Sequence, residues 1–360
     1  MLIQIILKTG KAKQEELMIN KNNTKLLRAL PLLVLGMLII ITGIVILISA
    51  VVYSNGHEIT HDKTANVNVM LTRPEGWHKI ETGKISLDEE FFRHIDGSTA
   101  TIPITAELAR QFLDADDERL QKSIFTHRTT HYAYEYLIES KTKDNYYHAV
   151  TDIIFVTEPS ESELSEAEKK GVKFDITPVA MDGFVFITHK DNPVDSLTVQ
   201  QIQDIYTGRI TNWKDVGGLD APIIPYQREA NSGSQTAMEQ TVMQGEEMIE
   251  PDGYELVYGM GRLVEKVAEY ENSLNSLGYT YYYYINNLYR NDNIKVLKVN
   301  GISPDNENLI SRAYPFTAAY CAVMREGQSG TARELRDYLL TDEGQEIIKL
   351  AGYCPVRQEK

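Results

Sequence analysis

Short apolar runs of strand length alternate with helical patterns along this chain, and that alternation restricts the fold more than any other feature. Asp152–Val156 and Gly183–Thr188 are runs typical of buried strands. Glu161–Lys170 has a helical pattern, and another begins after Thr198, which suits an N-cap. Strands that alternate with helices of about ten residues predict α/β units on mostly parallel sheets. The tyrosine-rich run Leu277–Tyr284 is expected to pack in the core.

The segment 223–238 has the pattern of a strand, a polar turn and a helix start. Ser232 followed three residues later by Gln235 fits a capping box. Unpaired N–H groups and the positive end of the helix dipole attract anions, and Gly233 lets a ligand approach the backbone. The side chains that add donors are a guanidinium and two hydroxyls, Arg228, Ser232 and Ser234. The segment predicts an anion site, with an ordinary capped helix as the alternative.

Three further polar segments lie where a helix is expected to begin or a strand to end. Asp96–Pro103 places small hydroxyl residues around a glycine before a helical pattern. Thr129 and Thr130 open a second helical pattern, and Thr157 and Glu158 follow a predicted strand. Each segment alone is also compatible with a plain turn.

The N-terminal part predicts a membrane anchor. The charged residues of segment 1–29 are mainly basic, and the apolar segment 30–53 has about the 20 residues that a bilayer-spanning helix needs. Because the basic residues precede this segment, the positive-inside rule predicts a cytoplasmic N-terminus and an extracytoplasmic body in the cell membrane. Cleavage after Ala50 is the alternative to a permanent anchor. Residues 54–91 are expected to form a linker.

Composition excludes several classes of function. The formal net charge is -15, which argues against a nucleic-acid partner but not against a small anion held by local dipoles. Cys321 and Cys354 could form one disulfide outside the cell or remain two buried thiols. The histidines show no spacing typical of metal ligands, so we expect neither a metal nor another cofactor.

Five separated blocks together resemble the phosphate-binding proteins that serve bacterial phosphate-specific ABC transporters. The blocks are DGSTATIP at 96–103, NPVDSLTVQQIQDIYTGRITNWKDVGG at 192–218, QREANSGSQT at 227–236, YPF at 314–316 and GQEIIKLAGYCPV at 344–356. The resemblance covers roughly residues 92–357 and implies a type II periplasmic-binding-protein fold, in which two α/β lobes enclose a ligand. It assigns residues 92–182 plus 290–360 to lobe one and residues 183–289 to lobe two.

The resemblance also assigns anion contacts to residues of this chain. The matched residues are Thr101, Ile102, Thr129 (or Thr130 if the alignment shifts by one residue), Arg228, Ser232, Gly233 and Ser234. Each lies at a loop that leads into a predicted helix. Several helix N-termini would therefore converge on one cleft and hold an anion without a net positive charge.

One position departs from the family pattern. The family has a cleft aspartate that accepts the proton of phosphate and repels fully ionised sulfate. Thr157 stands at that place in this chain, with Glu158 beside it. A threonine donates as well as accepts hydrogen bonds, so the feature that repels sulfate is missing at this position. Either Glu158 takes the role through a one-residue shift, or the ligand is different.

The resemblance implies an anchored solute-binding protein that captures phosphate or a related oxyanion and delivers it to an ABC permease. An anchored sensor or interaction module of the same fold is the alternative, because of Thr157 and the anchor. A phosphate-ester hydrolase would need a base near Ser232, whereas His127 and His131 merely flank one of the matching loops. We therefore expect a binding protein and not an enzyme.

Overall fold

The computed structural model describes residues 76–83, 85–121, 125–140, 150–269 and 273–356. The predicted cytoplasmic segment, the anchor at 30–53 and most of the linker lie outside these residues. Among the helices of the described ranges, none combines the length and the apolar composition needed to cross a bilayer.

The described residues form a mixed α/β structure. The strands are β1 (Ile95–Gly97), β2 (Ile153–Val156), β3 (Phe174–His189), β4 (Ser196–Leu197), β5 (Ile224–Pro225), β6 (Gln227–Arg228), β7 (Leu256–Val257), β8 (Ser276–Tyr281), β9 (Ile294–Val296), β10 (Lys298–Val299), β11 (Thr317–Arg325) and β12 (Cys354–Pro355). The helices are α1 (Glu89–Phe92), α2 (Ile102–Leu113), α3 (Asp117–Gln121), α4 (Thr130–Glu139), α5 (Glu161–Lys169), α6 (Val199–Tyr206), α7 (Gly233–Ala237), α8 (Met260–Glu269), α9 (Asn306–Ile310), α10 (Thr331–Leu339) and α11 (Asp342–Leu350).

The long strand β3 connects the two halves of the main sheet. Its first part, up to Gly183, pairs with β11, and its second part, from Phe184, pairs with β8 and then β9. The strand order is β1-β2-β11-β3-β8-β5. The predicted strand 183–188 is thus the second part of a longer element, because residues 174–178 are only partly buried and lack a continuous apolar pattern.

The prediction of mostly parallel sheets is wrong. The two longest ladders, of β3 with β11 and with β8, are antiparallel, and so is the short β3–β9 ladder. The parallel pairs β1–β2, β4–β10, β5–β8 and β6–β7 have two or three residue pairs each. The reason is the path of the chain. The first part of β3 runs from Phe174 to Gly183, and β11 begins opposite Gly183 and runs back to end opposite Phe174. A helical crossover is needed only where neighbouring strands are parallel, so alternation alone overstated the parallel share.

Local signals placed several helices correctly. Thr198 caps α6, and its hydroxyl accepts the N–H of Gln201 while the Gln201 side chain accepts the N–H of Thr198. Ser160 and Glu163 form the same reciprocal cap at the start of α5. These two boxes satisfy N–H groups that a helix start would otherwise leave unpaired, which explains why both starts are sharply defined.

The core contains Tyr279, Tyr281 and Tyr284 of the predicted run, whereas Tyr282 and Tyr283 are partly buried at its edge, and it contains both cysteines. Tyr279 and Tyr281 pack against Phe184 at the centre of the second half of the sheet. Cys321 and Cys354 are free and buried. They lie on β11 and β12, which pair with opposite edges of β3. That separation is two strand spacings, about 9–10 Å, whereas a disulfide needs Cα atoms within about 7 Å.

Candidate anion site

The first predicted anion loop is present, but its donors are used within the protein. Thr99–Thr101 form a single 3-10 turn before α2. The buried Thr101 hydroxyl donates to the Phe155 carbonyl at 2.6 Å, and the Ile102 N–H donates to Thr99. Contact of these two residues with an anion therefore remains a prediction, and Thr101 would have to exchange its present partner to make it.

Asp96 joins this loop to the next one, a role that the sequence analysis missed. Its buried carboxylate accepts the N–H groups of Gly97 and Arg128 and pairs with the Arg128 guanidinium. That guanidinium lies 3.8 Å above the Tyr136 ring. Burial raises the pKa of Asp96, and the positive charge of Arg128 opposes that shift. An acidic residue inside an otherwise apolar strand was the available signal.

The second loop brings Thr130 to the cleft more directly than Thr129. Thr129 is the N-cap of α4 and is half-buried, and its side chain makes no capping hydrogen bond. Thr130 is buried, and its Oγ1 lies 2.7 Å from the position that a Cβ on Gly233 would occupy. The geometry thus favours the shifted alignment of the two that the resemblance allows.

Thr157 and Glu158 have opposite surroundings. Thr157 is 5% exposed, and the Tyr281 hydroxyl lies beside its buried Oγ1. That oxygen lies 2.6 Å from the Cβ position of Gly233. Glu158 is exposed. Thr157 is thus the buried residue of the two, and the assignment of either one to the cleft aspartate of the resembling proteins remains a prediction.

The helix start after Ser232 is confirmed, although the capping box is only half formed. The Ser232 hydroxyl accepts the Gln235 N–H at 3.2 Å. The Gln235 side chain turns away instead, because it accepts the Arg228 N–H and the Tyr279 hydroxyl. The helix that begins here divides into the short α7 and a π-helical segment, Met238–Met243.

Arg228 is buried beside this loop. Its side chain is 6% exposed and pairs with Glu229 through Nε at 2.9 Å and Nη2 at 3.0 Å. Its Nε also donates to the Val257 carbonyl, and its Nη1 donates to the Ser234 hydroxyl at 3.2 Å. Glu229 therefore orients one edge of the guanidinium while the Nη1 side points to the loop predicted to hold the anion.

Gly233 is the point where the loops meet. Its Cβ position lies within 2.7 Å of the hydroxyl oxygens of Thr130 and Thr157, so only glycine permits this approach. The Tyr281 hydroxyl donates to the Gly233 carbonyl at 2.9 Å. Four of the predicted site residues, Thr130, Thr157, Gly233 and Ser234, are thus buried in one region with Arg228.

Two hydrogen bonds close the outer part of this region. The Ser162 hydroxyl donates to the Asn231 side-chain oxygen at 2.7 Å, and the Gln240 amide donates to the Pro159 carbonyl at 3.2 Å. Both bonds connect the segment that follows β2 with the segment that follows β6. The chain is therefore in a closed arrangement in this region.

The chemistry of the region is that of a hydrogen-bonding cradle for an oxyanion. Hydroxyls and a guanidinium supply donors, and the start of α7 adds backbone N–H groups. In the described residues, no group of three or more metal-ligating side chains occurs. His127, the buried histidine nearest the first loop, is hydrogen-bonded to Ser98 and Thr105.

Curated relatives of this chain are phosphate-binding proteins. The chain is 26% identical over 203 residues to the phosphate-binding protein PstS of Bacillus subtilis, covering 55% of this chain and 64% of that protein. It is 26% identical over 188 residues to PstS of Borreliella burgdorferi, covering 50% of this chain and 66% of that protein. The chain thus spans just under two thirds of the length of these relatives.

Solved structures show the same architecture. A phosphate ABC transporter substrate-binding protein from Clostridium perfringens, solved with bound phosphate, is 28% identical with a TM-score of 0.52, covering 73% of this chain and 98% of that chain. An ABC-type phosphate transport receptor from Vibrio cholerae has a TM-score of 0.52 at 20% identity, covering 72% of this chain and 98% of that chain.

The profile of the PBP superfamily domain matches residues 95–343, which is more than half of the chain. The matches confirm the resemblance that the five sequence blocks predicted. This chain, with its mixed α/β fold of two lobes, therefore belongs to the PBP superfamily.

Proposed function

We propose that the protein is an extracytoplasmic solute-binding protein that captures phosphate, or a related oxyanion, for uptake by an ABC transporter. One lobe would comprise residues 92–182 plus 290–360, and the other residues 183–289. The change of partners along β3 between Gly183 and Phe184 supports this division. The basic N-terminal flank and the apolar segment 30–53 support attachment to the membrane surface that carries the permease.

The observation that carries the proposal is the convergence at Gly233. Thr130 and Thr157 approach it from one side of the cleft, and Arg228 and Ser234 belong to the other side. Hydrogen bonds to a charged ligand contribute about 1.5–3 kcal/mol each. Four or five of them supply the roughly 8 kcal/mol of micromolar binding, after the cost of association is subtracted.

Calorimetric titration of the full-length chain in detergent with inorganic phosphate tests the proposal. We expect saturable binding with one site per chain and an affinity in the micromolar range or tighter. A titration with chloride at the same ionic strength controls for screening of surface charge. Absence of heat and of thermal stabilisation with phosphate, in protein with a cooperative unfolding transition, would refute the proposal.

The relatives also bear on the choice between transport and sensing. Their names describe phosphate binding and phosphate transport, which supports delivery to a permease. Co-purification of the tagged protein with a permease from its own membranes would test that partner. Phosphate binding without any such association would indicate that the protein passes the anion to a partner other than a transporter.

A further inference from the structure

Asp182 lies where the two lobes of the proposed division meet, two residues before β3 begins to pair with β8 at Phe184. Its Oδ1 accepts the N–H groups of Gly183 at 2.7 Å and Tyr283 at 3.1 Å, both in lobe two. Its Oδ2 accepts the hydroxyl of Tyr320, in lobe one, at 3.3 Å. One buried carboxylate thus connects the two lobes through hydrogen bonds.

The tyrosine that donates from lobe one packs against two others, and each of these holds a loop predicted to bind the anion. The Tyr320 ring centroid lies 5.4 Å from that of Tyr281 and 5.3 Å from that of Tyr353. The Tyr281 hydroxyl donates to the Gly233 carbonyl. The Tyr353 hydroxyl donates to the Ala100 carbonyl. The carboxylate at the junction is therefore connected to both anion loops through packed side chains.

Asp182 is the member of this layer whose charge changes near neutral pH. Burial raises its pKa to about 7, although the hydrogen bonds to the carboxylate oppose that shift. Burial also raises the pKa of the other titratable groups that face it in the described part of the chain, whose ordinary values are 9.0 or 10.0: Tyr281, Tyr282, Tyr283, Tyr320, Tyr353 and Cys354. The charged side chains that act on these groups from outside the layer are Arg228, Arg110, Glu107 and Asp305.

The neutral and charged forms of Asp182 suit different positions of the lobes. The neutral form keeps all three hydrogen bonds, because Oδ1 still accepts both N–H groups while Oδ2 donates its proton to the Tyr320 oxygen. The charged form gains from water, which the closed arrangement excludes. Separation of the lobes would admit water, which can replace the Tyr283 N–H as a donor to the carboxylate. Closure therefore costs more free energy when Asp182 is charged.

We infer that Asp182 makes anion capture depend on pH: the closed protein retains a proton on this side chain and the open protein releases it, so affinity for the anion falls as the pH rises from 6 to 8. The direction follows from linkage, because raising the pH favours the state that binds fewer protons. This inference rests on the proposed function, since it concerns the same anion site and the same two lobes. Asp182 acts on the ligand through the lobes and is a positioning residue.

Calorimetric titration of the full-length chain with inorganic phosphate at pH 6, 7 and 8 tests the inference, with the natural protein and Asp182→Asn compared at each pH. Both proteins meet the same mixture of phosphate ions, so the ratio of their affinities cancels the ionisation of the ligand. Asp182→Asn has no carboxyl proton to lose. We therefore expect the affinity of the natural protein, relative to that of Asp182→Asn, to fall about threefold to tenfold from pH 6 to pH 8.

Asp191→Asn, at an exposed carboxylate near the end of β3, is the control and should show the pH dependence of the natural protein. The same pH dependence in Asp182→Asn and the natural protein would overturn the inference and leave the proposed function intact. Absence of phosphate binding by the natural protein at all three pH values would refute both.

A second pair of variants tests the inference with the Asp182 carboxyl in place. Tyr320→Phe removes a donor that stabilises the charged form, so the pKa of Asp182 rises further and the fall in affinity should continue to a higher pH. Between pH 7 and pH 8 the fall should be steeper than in the natural protein. Tyr314→Phe removes a hydroxyl from another buried tyrosine and should leave the pH profile unchanged. Equal pH profiles in the two Tyr→Phe proteins would contradict the inference.

Discussion

The two sides of the cleft each contain an arginine paired with a carboxylate, but the two pairs have different tasks. Arg128 pairs with Asp96 and lies on Tyr136, and the backbone N–H of Arg128 also donates to that carboxylate. Arg228 pairs with Glu229 and keeps a donor directed to Ser234. The first pair fixes two loops relative to each other, whereas the second pair orients a guanidinium toward the proposed ligand.

The difference shows that an arginine near a polar loop is not sufficient to identify an anion site. What decides is whether its donors remain available after the internal partners are counted. In the Asp96 pair, the carboxylate is the more buried member and the arginine compensates its charge. In the Arg228 pair, the arginine is the more buried member, and the partly exposed Glu229 orients it.

Of the changes that test this comparison, we expect the largest effect at Arg228. We expect Arg228→Ala to weaken phosphate binding about 100-fold or more, because two or more charge-assisted hydrogen bonds are lost at about 1.5–3 kcal/mol each. Isothermal calorimetry of the purified chain measures the effect. Arg262→Ala, at an exposed arginine of the same part of the chain, is the control and should bind normally. A folded Arg228→Ala protein with unchanged affinity would contradict the assignment.

A third buried carboxylate, Asp182, extends the comparison, because none of its described hydrogen-bond partners is an arginine. Asp182 accepts the N–H groups of Gly183 and Tyr283 and the Tyr320 hydroxyl, and burial raises its pKa to about 7. An unfolded aspartate ionises near pH 3.9, so between about pH 4 and pH 7 the folded state binds the additional proton. The free energy of unfolding should therefore decrease by about 2–3 kcal/mol from pH 5 to pH 8 through this group.

Urea denaturation at pH 5 and pH 8 measures that decrease. Asp182→Asn has no carboxyl to titrate, and its side-chain oxygen can still accept both N–H groups, so we expect a smaller loss of stability between the two pH values. Asp191→Asn, at an exposed carboxylate near the end of β3, should retain the behaviour of the natural protein. An equal pH dependence in the Asp182→Asn and natural proteins would be inconsistent with the raised pKa.

The Asp96 pair is expected to affect stability more than binding. Asp96→Asn removes the charge that the partly exposed Arg128 pairs with, and we expect the free energy of unfolding to fall by about 2 kcal/mol, the size of one charge-assisted hydrogen bond. Asp114→Asn removes a carboxylate from an exposed pair with Lys79 and should cost less than about 1 kcal/mol. Chemical denaturation compares the two variants. A loss of phosphate affinity in Asp96→Asn as large as in Arg228→Ala would show that the two pairs do not differ in task.

The smallest expected effect concerns the contact of the two sides at Gly233. A Cβ there would lie 2.6 Å from the Thr157 hydroxyl and 2.7 Å from the Thr130 hydroxyl, so the two sides must separate slightly. We expect Gly233→Ala to weaken binding about tenfold, through an overpacking cost of about 1–2 kcal/mol. Gly253→Ala, at an exposed glycine with open space around it, is the control. Full affinity in Gly233→Ala would mean that the cleft binds its ligand without this close approach.

Local signals explain which parts of the fold could be predicted. The caps at Ser232 and Thr198 depend on residues three apart, so the sequence was sufficient to place both helix starts. The parallel share of the sheet depends on the path of β3 and β11, which are more than a hundred residues apart in the chain. Periodicity reports burial and length but carries no information about strand direction.

The candidate site likewise contains residues that the sequence predicted and contacts that it did not. The resemblance predicted Arg228, Gly233 and Ser234, and the structure brings Gly233 against Thr130 and Thr157. It did not predict that Thr101 would donate to Phe155, or that Asp96 would connect two loops. These contacts join segments about 30 to 50 residues apart. A shift of the alignment by one residue, from Thr129 to Thr130, also changes which side chain is predicted to enter the cleft.

The amino-acid sequence by itself determined the superfamily, the caps at Ser232 and Thr198 and the glycine at which close approach is allowed, because each of these is recognised from short local segments of the chain. Only the tertiary structure decided the strand directions, the approach of Thr130 to Gly233 and the burial of Thr157 beside an exposed Glu158. The physical reason is that burial and hydrogen-bond partners are set by the elements that pack around a residue, and these come from distant parts of the chain.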